Sequence, residues 1–232
     1  MQNKKWIIST SVVSAIAIVY TILIAFVDRA AIGANDSVVG FSKINKYFMN
    51  LLKFNDTFYK ITKYTGIIII SIAVVYMIIA LIELIKRKKF KEVDSELIFA
   101  GIFYIALIII YFVFELLKIN YRPILMGGVL EPSYPSSHTM LAIFICITAL
   151  LINKKIIKNT PLKITADIIT IIIGLVTVIG RVISGVHWIT DIIGGILIST
   201  ALVLGYVLVI KIAETKKKDK QSIPSSKSTD KD

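Results

Sequence analysis

The fold is decided by one polar stretch, Gly180-Arg181-Val182-Ile183-Ser184-Gly185-Val186-His187-Trp188-Ile189-Thr190-Asp191, which lies between two long apolar runs. Ionisable residues at the border of a membrane span usually serve a function. His187 and Asp191 are four residues apart, so on a helix they share one face and the carboxylate can hold the imidazole in one tautomer. The far ring nitrogen is then free to attack or to take a proton. Arg181 offers donors suited to an oxyanion such as phosphate.

The composition indicates an integral membrane protein. Of the 232 residues, 56% are hydrophobic, and several apolar runs reach the ~20 residues that cross a bilayer. The formal net charge is +12, but the lysines lie between the apolar runs, which favours cytoplasmic loops facing anionic lipid over nucleic-acid binding. The single cysteine, Cys146, lies within an apolar run, where packing is the expected role.

The apolar runs predict an all-α integral membrane protein built as a six-transmembrane-helix bundle. The predicted spans are Ile7–Val27, Ile67–Ile85, Leu97–Leu117, Ser137–Ile152, Ile164–Gly180 and Trp188–Ile210. The first run is too long for the core of a usual signal peptide, so we expect it to be retained as a span. Residues 1–212 then form one six-span domain, and residues 213–232, rich in Lys, Ser and Asp, are expected to be a disordered cytoplasmic tail.

Basic clusters predict the orientation in the cell membrane. Clusters at 4–5, 86–91, 154–163 and 211–220 all face the cytoplasm if the six spans leave both termini inside. Every residue of the polar motifs then lies on the extracytoplasmic face. The first loop carries five lysines of its own and fits the charge rule poorly.

An amphipathic interfacial helix is predicted in the first outer loop. Apolar residues recur there at helical spacing with basic and amide residues on the other face: Phe41, Ile44, Phe48, Leu51 and Leu52 against Lys43, Lys46, Asn50 and Lys53. Such a helix either lies in the headgroup layer and gathers anionic lipid, or it shows a solvated lysine face above ordinary bundle packing.

Two further motifs precede the first one along the chain. Arg122-Pro123 follows the third span, and Pro135-Ser136-Ser137-His138 opens the fourth. Together the three blocks resemble the signatures of the type 2 phosphatidic acid phosphatase superfamily, K-x6-R-P, P-S-G-H and S-R-x5-H-x3-D, over roughly residues 66–210. The superfamily contains membrane lipid phosphatases and diphosphatases with a six-span helical core.

The resemblance implies a role for each matched residue. His187 would be the nucleophile that forms a phosphohistidine, Asp191 would orient it, and His138 would protonate the leaving oxygen. The residues implied in binding the phosphoryl oxygens are Arg122, Ser136, Ser137 through its backbone, Arg181 and Lys118.

Three positions depart from the superfamily pattern. Glu115 stands where the pattern has its lysine, and Lys118, one helical turn later, is the candidate replacement. Ser137 stands in place of glycine, which costs stability if the backbone has a positive φ but suits a helix N-terminus. Gly180 replaces the serine before Arg181.

The residues favour phosphoryl transfer without metal or other cofactor. Two arginines and the amides at the head of the fourth span can stabilise the charge, and the sequence has no carboxylate cluster, cysteine pair or glycine-rich phosphate loop. The expected partners are the membrane and a lipid phosphate or diphosphate, such as undecaprenyl diphosphate, phosphatidic acid or phosphatidylglycerophosphate. Two alternatives stay open: a lipid phosphotransferase, and a non-catalytic lipid-binding protein with a degenerate site. The sequence does not specify an oligomeric state.

Overall fold

The computed structural model describes residues 3–89 and 92–221 and shows a helical bundle. In chain order the elements are α1 (Lys4–Phe26), β1 (Ala30–Ala31), a 3-10 turn (Ala34–Asp36), β2 (Val38–Val39), α2 (Ser42–Leu51), α3 (Asp56–Arg87), α4 (Ser95–Leu117), α5 (Ser137–Ile156), α6 (Thr160–Ile183) and α7 (Ile189–Gln221). Six of the described helices, all but α2, are long and apolar enough to cross a membrane. Their outward faces carry exposed residues such as Ile105 and Ile172, as a lipid environment requires. The predicted six-span membrane class is confirmed.

The fourth span, α5, lies at the centre of the bundle and contacts α3, α4, α6 and α7. Its Phe144 packs edge-on against Tyr206 of α7, with the ring centroids 6.3 Å apart. Gly194 and Gly195 let α7 approach the start of α5, since a Cβ at Gly195 would lie 3.0 Å from the Ser136 carbonyl oxygen. Small residues commonly allow membrane helices to pack this closely. The approach brings the beginnings of α5 and α7 side by side.

The second span begins earlier than predicted. Asn55 caps α3, because its side chain accepts a hydrogen bond from the Phe58 amide, and the exposed pair Lys60–Asp56 follows within the first turn. Residues 56–66, which precede the predicted second span, are therefore helical. The 32 residues of α3 span about 48 Å at ~1.5 Å per residue, against a hydrocarbon core of ~30 Å. The first turns of α3 thus extend beyond that core and cover the end of the bundle.

The last helix extends past the predicted domain boundary at residue 212. α7 runs to Gln221, so residues 213–221 are helical rather than disordered. Lysine and glutamate are good helix formers, and Lys211 pairs with Glu214 at 2.8 Å while its carbonyl accepts from the Thr215 hydroxyl. The rest of the predicted tail, residues 222–232, lies outside the described residues.

The first loop contains the predicted amphipathic helix, but its apolar face is divided. β1 and β2 pair antiparallel, with Ala30 opposite Val39, and lead into α2, where Asp28 accepts from the Ser42 hydroxyl and the Lys43 amide. Phe48 and Leu52 are half-buried toward the bundle. Ile44 and Leu51, expected on the same face, are 44% and 66% exposed.

A tight crossing of α3 and α6 explains the glycine at position 180. A Cβ there would lie 2.5 Å from Cγ2 of Thr62. We expect Gly180→Ser to lower the free energy of unfolding by about 1–3 kcal/mol, the usual cost of overpacking. Adding Thr62→Ser removes the obstructing methyl and should restore most of the loss. Thermal unfolding in detergent of both single variants and the double variant measures this, and a Gly180→Ser protein as stable as the wild type would contradict it.

Candidate active site

Backbone contacts bring the three sequence motifs together at one end of the bundle. The Ser136 amide donates to the carbonyl of Asp191 at 3.0 Å, joining the start of α5 to the first turn of α7. The Ser133 amide donates to the carbonyl of Asn120 at 2.9 Å, and the Trp188 indole donates to the carbonyl of Tyr121 at 2.6 Å. The loop that carries Arg122 is thereby held against both other motifs.

His187 stands between a carboxylate and a guanidinium. Its Nδ1 lies 3.5 Å from Oδ2 of Asp191, longer than an ordinary hydrogen bond, and its Nε2 lies 3.2 Å from Nη1 of Arg122. A guanidinium only donates, so Nε2 must be the acceptor and the ring proton must sit on Nδ1, facing Asp191. In this tautomer Nε2 carries the lone pair that a nucleophile needs.

The surroundings keep His187 neutral. Burial is the largest cause that lowers the pKa of His187 well below its ordinary value, and the positive charges of Arg122, Arg181 and His138 lower it further. An unprotonated ring at neutral pH is the form that can attack phosphorus.

Asp191 is fixed by two donors besides its contact with His187. The Trp188 amide donates to Oδ2 at 3.0 Å, and the Asn120 side chain donates to Oδ1 at 3.4 Å. Asn120 is fully buried, and its own oxygen accepts from the Gly40 amide at 2.9 Å. Asn120 therefore ties the first loop to the carboxylate. Sequence reasoning missed it, and its position two residues before Arg122 was the only available signal.

Arg181 is a buried cation without an anionic partner. Its side chain is 1% exposed, and neither Nε nor Nη1 has a hydrogen-bond partner among the described residues. The Tyr59 ring lies 5.6 Å from Cζ and supplies a cation–π contact. Burying a charge without a hydrogen-bonded counterion is costly, and an oxyanion between Arg181 and His187 would relieve that cost.

Arg122 lies at the mouth of the site. Its Nε lies 3.0 Å from a carboxylate oxygen of Glu131, and its Nη1 also donates to the carbonyl of Val186 at 3.3 Å. Glu131 is half-exposed, whereas His187 beneath is buried. In this state the Arg122 guanidinium occupies the lone pair of Nε2, so an incoming phosphoryl group must draw it away.

The predicted helix start at the second motif is present. Ser136 caps α5, with its Oγ accepting from the amide and the hydroxyl of Thr139. Ser137 is the first residue of the helix and has no positive φ, so the helix-N-terminus alternative is the correct one. His138 packs on α3, where a Cβ at Gly66 would lie 2.8 Å from its ring, and its Nδ1 has no hydrogen-bond partner among the described residues.

Two positions singled out in the sequence, 118 and 180, add no side chain to the site. Lys118 is exposed at the C-cap of α4 with φ 48°, and its side chain makes no hydrogen bond or ion pair with any described residue. Its predicted contact with the phosphate has no support from its position. A serine at position 180, as in the superfamily pattern, would not fit, because Thr62 occupies the space that its Cβ would need. Among the described residues, no group of three or more His, Cys, Asp or Glu side chains is placed to hold a metal ion.

Comparison with known proteins identifies the part of the chain that carries these motifs. The model of the PAP2 superfamily matches residues 119–215, a segment that includes Arg122, the start of α5 and the His187–Asp191 pair. One similar solved structure is the crystal structure of the first transmembrane PAP2 type phosphatidylglycerolphosphate phosphatase from Bacillus subtilis. It is 19% identical, the match covers 80% of this chain and 96% of that chain, and the TM-score is 0.40. No curated protein matches the sequence.

The neutral state of His187 can be measured directly. The chain has only two histidines, so [13Cε1]-histidine labelling gives two NMR signals, and His138→Gln assigns them. Because the pKa of His187 is lowered, we expect its signal to remain that of a neutral ring as the pH falls through the ordinary midpoint of about 6.5. The ring should become charged only at lower pH. A midpoint at or above the ordinary value would contradict this.

Arg181 should lower stability in the absence of an anion. We expect Arg181→Met to raise the free energy of unfolding by at least about 1 kcal/mol, because it removes an uncompensated buried charge and keeps most of the volume. The same change should abolish the stabilisation that millimolar inorganic phosphate gives the wild type. Melting curves with and without phosphate test both effects. A destabilised variant, or one still stabilised by phosphate, would show that Arg181 is not the anion partner.

Proposed function

We propose that the protein is a membrane lipid phosphatase that works through a phosphohistidine on His187. The match of residues 119–215 to the model of the PAP2 superfamily supports phosphatase activity in general. The finer proposal is carried by one observation: Nε2 of His187 accepts from Arg122 while Nδ1 faces Asp191, beside the buried and unpaired Arg181.

Three kinds of donor are available to the phosphoryl oxygens. Arg181 lacks a counterion, and Arg122 can move from Nε2 to an oxygen while Glu131 holds its Nε. The backbone amides of Ser137 and His138 open α5 and have no hydrogen-bond partner among the described residues. Amides at a helix N-terminus bind phosphate readily. These donors would stabilise the charge on the equatorial oxygens during transfer.

The reaction would proceed in two displacements. Nε2 of His187 attacks phosphorus, the bond from phosphorus to the lipid oxygen breaks, and a protonated His138 gives its proton to that oxygen. Asp191 stabilises the positive charge that develops on the His187 ring. Water then attacks the phosphohistidine, His138 takes a proton from it, and inorganic phosphate leaves with the neutral His187 ring restored.

An apolar groove beside the site supports a lipid substrate. The groove lies between α3, α4 and α5, has a volume of about 570 Å³, and is lined by residues such as Met77, Leu107 and Met140. Ser137, the neighbour of Ser136 and His138, lies on its wall. A lipid tail in this groove would bring its phosphate to the head of α5. Undecaprenyl diphosphate, phosphatidic acid and phosphatidylglycerophosphate are the candidate substrates, and the basic clusters favour a site on the extracytoplasmic face.

Phosphate release from a panel of these lipids tests the proposal. Purified protein should release phosphate from at least one of them, and EDTA should not reduce the rate because the residues supply the charge stabilisation. His187→Ala should lower kcat by at least about 10³-fold, as expected for loss of a nucleophile. Ser71→Ala, an exposed hydroxyl change on α3, serves as the matched control. Turnover retained by His187→Ala would exclude the assigned nucleophile.

Trapping the intermediate separates hydrolysis from the two alternatives. Wild-type protein mixed rapidly with 32P-labelled substrate and quenched in alkali should carry acid-labile, alkali-stable label, and His187→Ala should carry none. A phosphotransferase would instead pass the label to a lipid or sugar acceptor without free phosphate. A non-catalytic lipid-binding protein would bind substrate and take no label.

A further inference from the structure

The short helix α2 presents three different sides. One side is buried against the active-site turn and contains Ser42 and Asn45, which are 6% and 0% exposed. The second side is apolar and faces outward: Ile44, Tyr47 and Leu51 follow at i, i+3 and i+7 and are 44%, 66% and 66% exposed. The third side is basic and carries Lys43 and Lys46, both exposed. We call the second and third sides together the outward surface of α2.

We propose that the outward surface of α2 docks on the anionic headgroup layer of the bilayer that the bundle crosses, and that this docking holds the catalytic turn in place. The apolar side would sink into the boundary between headgroups and acyl chains. The lysines beside it would bind lipid phosphates, with Lys53 in the following linker adding a third cation.

Charge and exposure select the lipid surface as the occupant. Lys43, Lys46 and Lys53 form no ion pair with any described residue, so their charge is available to anionic headgroups. A purely solvated face would leave Ile44, Tyr47 and Leu51 in water as one contiguous stripe. The Phe41 amide donates to the Val27 carbonyl at the end of α1, and only residues 52–55 join α2 to α3, so α2 lies beside the ends of both spans.

The buried side of α2 connects this surface to the active site. Asn45 Nδ2 donates to the Thr190 hydroxyl at 2.9 Å, one residue before Asp191, and Asn45 Oδ1 accepts from the Thr190 amide at 3.4 Å. The Asn55 amide donates to the Ser184 carbonyl at 3.0 Å. At Gly185, where φ is +65°, a Cβ would lie 3.0 Å from the Leu52 carbonyl oxygen. α2 and its linker thus cover the turn that presents His187.

Hydrogen–deuterium exchange in nanodiscs tests the proposal without requiring phosphate release, so its failure is distinct from failure of the proposed function. The two preparations contain phosphatidylcholine alone, or phosphatidylcholine with phosphatidylglycerol at three to seven. We expect peptides covering residues 42–55 and 184–190 to exchange at least severalfold more slowly in the anionic discs. Equal exchange of residues 42–55 in both discs would overturn the proposal.

Two sets of variants separate docking from its effect on the site. Lys43→Gln, Lys46→Gln and Lys53→Gln together should abolish the lipid-dependent protection of both segments. Lys86→Gln, Lys88→Gln and Lys154→Gln remove the same charge from exposed lysines at the opposite end of the bundle and should leave it unchanged.

Asn45→Ala should keep the lipid-dependent protection of residues 42–55 and lose that of 184–190, because it cuts the bonds to Thr190. Protection lost equally in both lysine sets would mean a general charge effect and would refute docking through α2. If Asn45→Ala melts well below the wild type, Thr190→Val, which removes the hydroxyl partner alone, replaces it.

Discussion

The site depends on the position of one residue, Asp191. Its backbone carbonyl accepts the amide of Ser136, which fixes the start of α5 against the start of α7. Its carboxylate meanwhile accepts from the Trp188 amide and faces Nδ1 of His187. One residue thereby aligns two helices and sets the tautomer of the imidazole. Because both contacts are made at the start of α7, the geometry of the site follows from how this helix packs against α5.

The arginines of the site illustrate how stability is given up for anion binding. Arg181 is enclosed without a carboxylate, while Arg122 is held by Glu131 and by the ring that it would serve. One cation therefore has no anionic partner among the described residues, and the other contacts Nε2 of His187. An entering oxyanion would relieve the first cost and attract Arg122 away from Nε2. In the proposed mechanism, the same negative charge would thus drive both binding and activation of His187.

Close contacts of the backbone determine which residues can cover the site. Because glycine has no Cβ, the ring of His138 can lie close to Gly66, and Thr62 can lie close to Gly180. The linker after α2 lies close to Gly185 for the same reason. Each contact brings part of the first loop or of the elongated α3 over the motifs. The first loop therefore covers the site. Its exposed side carries lysines, which is why it fits the charge rule poorly as an outer loop.

The sequence by itself determined the six-span membrane class and located the three polar motifs that the fold brings together. The apolar runs required helices, because a bilayer leaves backbone groups no other partner. The expected shared helix face of His187 and Asp191 is wrong, because His187 lies in the turn before α7 and only Asp191 lies on the helix, yet the turn still brings the two side chains together. The sequence could not give the true start of α3 or the end of α7, where capping by Asn55 and favourable charge pairs extend helices through polar residues. Nor could it show that Asn120 reaches Asp191, that Lys118 is exposed at the end of α4, or that Gly180 faces Thr62. Such contacts join residues distant along the chain, and only the packing of the helices decides which of them meet.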